Sequence, residues 1–282
     1  MASARDEVLA AEKQARLLPG ANERFSGWGL MGLPFRSGDV LATRRFPASS
    51  IGPGYSSVWY RNPGGLWTFY ADVPPESACT RFFGSAVARA VVCPVILEWT
   101  GEDQLHVEVP EGGLSCDIAV GRTVASGAMN LISAGFPEWA WRSPRVLGLT
   151  AMMAGPMLRA GKLSMTGIAP NHQSFIANPR KIWVVKSALL RVGEREIDEP
   201  GPVTPRLNLE TSSFPSVASW RSAMQPSTPS TRRAIPPWSA TPLRRCRAVV
   251  AISLQYFGTS ALPGEHTFNH SPHHQEDLPR TS

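Results

Sequence analysis

The sequence predicts a mainly β protein: an antiparallel meander that curls into a barrel, with one or two helices and a disordered C-terminal tail. Three observations carry that prediction. Tyr55–Val73 consists of two runs rich in aromatic and β-branched residues around Arg61-Asn62-Pro63-Gly64-Gly65, a hairpin with turn residues at its tip. Gln104–Val109 and Leu114–Val120 alternate apolar and polar residues with the period of a strand that has one oily face and one wet face. Pro and Gly together make up 50 of 282 residues, which favours turns over long helices.

In chain order, Ser3 followed by Asp6 is a helix start, because a hydroxyl can hold amides left unpaired in the first turn. Val8, Leu9, Ala11, Ala15 and Leu18 can share one face, and Pro19-Gly20 ends the helix. Asn22–Ser37 reads as a Gly- and aromatic-rich loop, Asp39–Phe46 as a strand and Pro47–Gly54 as a loop before the hairpin. Pro75–Ala90 is an irregular or briefly helical connection. Val91–Thr100 reads as one strand, turning at Gly101-Glu102-Asp103 into Gln104–Val109, with Pro110–Gly113 leading to the next strand. Within Trp139–Gly161 a helix starts at Ser143-Pro144, carries a stripe of Val146, Leu149, Met152, Met153 and Met157, and is kinked or stopped near Ala154 by Pro156. Lys162–Ile168, Gln173–Ala177 and Lys181–Ser187 are three more strands. Closing such a meander removes exposed sheet edges.

From about Asn208 lysine is absent and Ser, Thr, Pro and Arg dominate. The organisation read from the sequence is therefore 1–20 as an N-terminal helix, 21–207 as the β-rich domain, and 208–282 as a disordered or frameshifted tail. Back-translating Glu210–Met224 with codons ending in G or C, and reading one base out of frame, gives an apolar run, a turn and a second apolar run, the grammar of two further strands.

The net charge of +6 divides evenly: residues 1–207 hold 21 basic and 18 acidic side chains, and 208–282 hold 7 and 4. The β-rich part has no basic stripe interleaved with aromatics, so no nucleic-acid partner is expected. Cys79, Cys93, Cys116 and Cys246 form no Cys-x-x-Cys pair and have no His at zinc spacing, so they read as reduced thiols and no metal is expected. Met1–Leu18 has no long apolar core, which excludes a signal peptide or membrane span there; a cytoplasmic protein without a transmembrane segment follows.

Gly27-Trp28-Gly29-Leu30-Met31-Gly32 spells G-x-G-x-x-G but lacks the strand before it and the helix after it that a dinucleotide site needs, so no cofactor is expected. His266, His270, His273 and His274 lie in the tail with nothing to orient them. His106 shares a polar strand face with Glu108 and, across the turn, Glu98; a solvated cross-strand charge pair is the ordinary reading and a general base the other. His172 falls in a turn. Trp59, Tyr60, Trp67, Phe69, Tyr70 and Trp99, with Trp183, are the candidate lining of a barrel interior, where they would hold an apolar ligand; a packed, filled core is the competing reading. Arg142, Arg145, Arg159 and Lys162 surround the Met-rich helix, which is expected to pack on the sheet, with capping of the barrel mouth or contact with a membrane surface as alternatives.

Phe25-Ser26-Gly27-Trp28-Gly29-Leu30-Met31-Gly32-Leu33-Pro34-Phe35, Trp67-Thr68-Phe69-Tyr70 and Phe175-Ile176-Ala177-Asn178-Pro179-Arg180 resemble an uncharacterised, mainly actinobacterial family over residues 7–207. The resemblance names no chemistry. The family continues after about 207 with a Pro-Gln-Arg-Gly-like turn, which only the shifted frame restores. The hairpin order is also similar to lipocalin-like proteins, including the carotenoid-hydratase group, and that likeness implies a lipocalin-like barrel.

The functional expectation is binding of a small apolar molecule, a lipid or isoprenoid, in an aromatic-lined barrel. The alternatives are an enzyme acting on such a molecule, a hydratase or isomerase using Asp117, His106 or Tyr70, and an interaction protein with a filled barrel. The residues assign no catalytic group, and the balance leans away from an enzyme.

Overall fold

The computed structural model of the chain describes residues 2–20, 22–158, 164–201 and 249–259. It is mainly β. Helix α1 (Ala4–Lys13) starts as expected: Ser3 and Asp6 bond to each other's backbone N–H in a reciprocal cap. It ends at Lys13, before Pro19, and buries Ala4 and Val8 while Leu9 is exposed. The strands are β1 (Glu23–Pro34), β2 (Val40–Ser49), β3 (Tyr55–Arg61), β4 (Trp67–Ala71), β5 (Arg89–Val92), β6 (Ile96–Trp99), β7 (Gln104–Val109) and β8 (Leu114–Gly121). Helices α2 (Val124–Ala134) and α3 (Pro144–Leu158) follow, then β9 (Thr166–Ile168), β10 (Ser174–Val192), β11 (Arg195–Ile197) and β12 (Val249–Thr259). The hairpin β3–β4 is the one read from the sequence, with Asn62 accepting from Gly65 and Leu66 at its tip.

All strands among the described residues join one sheet in the order β5-β4-β3-β2-β1-β12-β10-β8-β7-β6, with β9 and β11 flanking β10. Every pairing is antiparallel except β4 with β5. The two outermost strands, β5 and β6, are neighbours in sequence, joined by Cys93-Pro94-Val95. Laid flat, the sheet would separate them by about 43 Å. The connection reaches at most about 14 Å. The sheet must therefore curl until its edges nearly meet, which gives a barrel-like wall. Among the described residues no ladder joins β5 to β6.

Several sequence expectations are corrected. Asn22–Ser37 is a strand, β1, and not a loop. Its glycines mark close backbone approach, since a Cβ on Gly27 would lie 2.0 Å from the Arg45 carbonyl oxygen and one on Gly29 2.5 Å from that of Thr43. Val91–Thr100 is two strands, because Pro94 cannot donate to a ladder. Conversely, Gln173–Ala177 and Lys181–Ser187 form one strand through Pro179. There β10 pairs with β12 on one side, while β9 ends its pairing at Ile176 and β8 begins at Val184. Asn130 of α2 fills part of that gap, accepting from the Ile182 N–H at 2.8 Å and donating to its carbonyl at 3.0 Å. Helix α2 is an additional element; Thr123 and Ser126 cap it reciprocally. Pro156 does not stop α3 near Ala154, and the stripe of Leu149, Met152, Met153 and Met157 faces outward, while Leu147, Ala151, Ala154 and Leu158 are buried.

The tail is corrected at Val249–Thr259, which forms the strand between β1 and β10. Val249-Val250-Ala251-Ile252-Ser253-Leu254-Gln255-Tyr256-Phe257 is a β-branched and aromatic run that the Ser/Thr/Pro/Arg composition of the whole segment obscures. The Glu210–Met224 frame argument and the four tail histidines lie outside the described residues.

The expected single oily interior is divided: among the described residues two large cores lie on opposite faces of one wall, and two smaller clusters join α2 and α3 to their surroundings, Met129 with Ala154, Leu158, Ile182 and Val184, and Trp141 with Leu147, Ala151 and Met165. The first large core unites Trp28, Leu41, Tyr60 and Tyr70 with Leu105, Val107 and Cys116. These come from strands far apart along the sheet and meet only across the curl, so this is its inside. Ala4 and Val8 of α1 join it, and the Ala4 N–H bonds Asp103 at 3.0 Å, so α1 plugs the end where β7 begins. The second core lies behind β1–β4 and holds Phe25, Phe46, Tyr55, Trp59 and Phe69 against the 3₁₀ turns of 75–86. Neighbours such as Trp59 and Tyr60 therefore point into different cores, as strand geometry requires.

Candidate functional site

The six aromatic residues nominated for ligand contact are divided by the sheet. Trp59, Trp67 and Phe69 belong to the second core. There Trp59 stacks on Phe69 at 4.3 Å with 4° between planes, Phe83 closes on Trp59 at 5.0 Å, and Trp67 meets Phe69 edge-on at 6.1 Å. Aromatic rings at such spacings pack each other. Tyr60, Tyr70 and Trp99 face the inside of the curl, where Trp99 lies 5.9 Å from Trp28. Trp183 faces it as well, with the Arg122 guanidinium 4.5 Å from its ring.

Phe25, Trp67, Phe69, Phe175 and Ala177 belong to the second core, while Trp28, Leu30, Leu33, Phe35 and Tyr70 from the same sequence runs belong to the first. At the polar centre of the second core Arg44, 2% exposed, donates to the carbonyls of Leu30 (2.5 Å) and Thr43 (2.8 Å) and lies 4.7 Å from the Trp59 ring. Tyr55 Oη and Cys79 Sγ are 2.9 Å apart. Burial pushes the Tyr55 phenol well above its ordinary range and the Cys79 thiol up to about 11, so both stay neutral and Cys79 is no nucleophile.

His106 and Asp117 sit on the outer sheet face. His106 pairs directly opposite Glu98 and Asp117 on the neighbouring strands, and its Nδ1 is 2.7 Å from the Asp117 carboxylate. Arg191 holds the other Asp117 oxygen at 2.9 Å and Glu196 at 3.1 Å. The His106 hydrogen bond leads the effects that lower the Asp117 pKa. This is a solvated cross-strand ladder. Replacing His106 with alanine is expected to shift stability by less than about 1 kcal/mol, read as a urea midpoint, and to leave ligand binding unchanged. His172 is exposed in a turn with φ +67°.

Two groupings lay beyond sequence reasoning. The first is at the end of the curl opposite α1. Asp39, 0% exposed, accepts from Tyr60 Oη at 2.6 Å, Ser37 Oγ at 2.6 Å and Arg195 at 3.3 Å, and Arg195 also donates to the Tyr60 oxygen at 3.1 Å. An aspartate opening an apolar strand was the available signal; its partner Arg195 lies 156 positions away. The second is a cleft of about 900 Å³ beside the C-terminal end of α1. Lys13, Arg16, Arg142 and Arg180 line it with one acid, Glu138, which pairs with Arg180 at 2.8 Å, and its apolar walls include Ala11, Ala15 and Leu18. Among the described residues Lys13, Arg16 and Arg142 have no acidic partner within ion-pair distance, and no three His, Cys, Asp or Glu side chains gather as metal ligands.

Neither a family model nor a curated protein matches the chain. Among solved structures, the acetoacetate decarboxylase of Legionella pneumophila subsp. pneumophila str. Philadelphia 1 aligns over 89% of this chain and 90% of that one, with 8% identity and a TM-score of 0.32. A likeness at that level assigns neither fold nor activity to this chain.

Proposed function

We propose that the protein binds a small amphipathic anion, an apolar body bearing a carboxylate or phosphate head, in the cleft beside α1. The observation that carries this reading is the concentration of Lys13, Arg16, Arg142 and Arg180 around one open cleft of about 900 Å³, which Ala11, Ala15 and Leu18 also line. That volume suits a small molecule. Guanidinium groups hold carboxylates and phosphates through paired, charge-assisted hydrogen bonds. The reading keeps the lipid or isoprenoid class read from the sequence, adds an acidic head, and moves the ligand out of the packed second core.

Calorimetric titration of the full chain tests it with decanoate, decyl phosphate and decanol. The two anions are expected to bind and the alcohol not to. Arg16→Glu and Arg142→Glu should each weaken anion binding about tenfold or more, the loss of one charge-assisted bond. Equal binding of decanol, or no binding of either anion, overturns the proposal.

A second reading keeps a ligand inside the curl. The buried indole N–H groups of Trp99 and Trp183, both on the first core, have no hydrogen-bond partner among the described residues. An acceptor on an apolar ligand would satisfy them. Decanol binding that survives both arginine substitutions and quenches tryptophan fluorescence would favour this reading over the cleft.

A further inference from the structure

Helix α2 carries apolar side chains on both sides. Its buried side holds Met129 between Ser126 and Ser133, with Asn130 bonded to the β10 backbone. Its solvent side carries Val124, Leu131 (77% exposed) and Ile132. A surface helix of a water-soluble domain normally keeps its solvent side polar. Helix α3 is likewise apolar on both sides: Leu147, Ala151, Ala154 and Leu158 are buried, while Leu149, Met152 (66% exposed), Met153 and Met157 face outward at helical spacing. Trp139, 67% exposed, lies in the connection between the two helices. The helices contact each other, so these exposed apolar residues are concentrated in one region of the molecule.

The charges around this surface select its occupant. From Thr123 to Leu158 the chain holds Arg142 and Arg145 and a single acid, Glu138, which is held by Arg180. A second copy would bring arginines against arginines with no acid to answer them. Residues 202–248 of the same chain hold seven arginines and one glutamate and share the sign of the face; residues 260–282 hold three acids and one arginine, but Leu262, Phe268 and Leu278 are their large apolar residues and form no run that matches an apolar face of two helices. An anionic bilayer supplies both an apolar interior and negative head groups, and exposed Trp and Met side chains beside arginines are suited to its interface. We infer that α2 and α3 dock the protein on an anionic lipid surface. No helix among the described residues is long and apolar enough to cross a membrane, so the contact is peripheral. The inference does not depend on the cleft.

Co-sedimentation of the full chain with vesicles tests it, comparing phosphatidylcholine alone with mixed phosphatidylcholine and phosphatidylglycerol. Binding is expected to the mixed vesicles only and to weaken with salt. The combined substitution Leu149→Glu, Met152→Glu and Met153→Glu should lower vesicle affinity at least about tenfold and leave the circular dichroism spectrum unchanged, because these side chains are exposed. Arg145→Glu should weaken binding with no loss of fold. Vesicle binding that survives the triple substitution overturns the inference and assigns binding to the basic segments elsewhere. A vesicle-independent dimer abolished by the same substitutions overturns it in favour of self-association. Slow maleimide labelling of the thiol of Leu131→Cys without vesicles, read by peptide mass, overturns it by showing that the chain covers its own face.

Discussion

Replacing Gly27 with alanine is expected to destabilise the protein severely. The added methyl would sit 2.0 Å from the Arg45 carbonyl oxygen and 2.9 Å from the Phe46 Cα. Both obstacles are backbone, so no rotamer change relieves them, and β1 must part from β2. That pairing aligns the Phe25, Trp28 and Leu30 side chains with two cores at once. The cost is about 3 kcal/mol or more, a large share of the stability of an ordinary domain. Gly127→Ala is the control: nothing lies within 4 Å of its Cβ position on α2, so the exchange should stabilise by about 0.5–1 kcal/mol. Urea midpoints of the two variants moving together, or a wild-type midpoint for Gly27→Ala, would show that the strands approach less closely than described.

Asp39→Ala is expected to cost about 3 kcal/mol, because it strands the buried Tyr60 hydroxyl and removes the carboxylate facing Arg195. Tyr60→Phe removes two hydrogen bonds, the one donated to Asp39 and the one accepted from Arg195, and should cost about 1–2 kcal/mol. Burial alone would raise the Asp39 pKa, but hydrogen bonds from Ser37, Tyr60 and Arg195 outweigh it and hold the carboxyl below its ordinary 3.8. The folded state therefore favours the carboxylate. Its contribution is complete above that ordinary value and is lost as pH falls below it. Tyr60 acts at the other limb: burial, followed by the Asp39 bond, pushes its phenol up to about 12 from 10.0. The folded state holds that proton, so its contribution is complete below pH 10.0 and is lost as pH rises towards about 12. Urea midpoints across pH should show both limbs in the wild type. Asp39→Ala should lose the acid component attributable to this group, and an unchanged acid limb would remove Asp39 from the account.

The β-rich class was legible because it is written locally. Leu105, Val107 and Val109 alternate with polar neighbours whatever the rest of the chain does, and all three are buried. The hairpin at Asn62–Leu66 and the cap at Ser3 are equally local. The errors arise where one residue type serves two purposes. Glycine in β1 marks close strand approach instead of a loop, and proline breaks β5 from β6 yet is accommodated in β10, where one flank of the strand has no sheet partner. The methionines of α3 show which residues share a face, but periodicity alone leaves open whether that face meets the sheet or the solvent.

The candidate sites were far less legible. Trp59 and Tyr60 are adjacent, and alternation sends them to opposite faces; the sequence contains no mark that both faces are covered. Asp39 meets Arg195, and Lys13 and Arg16 meet Arg142 and Arg180, only in the tertiary fold. The amino-acid order by itself determined strand identity, turn positions and helix starts, because these depend on backbone preferences within a few residues. Tertiary structure alone decided which side of each strand became interior and which distant charges became neighbours. Both depend on the closing of a wall whose outermost strands are joined by three residues.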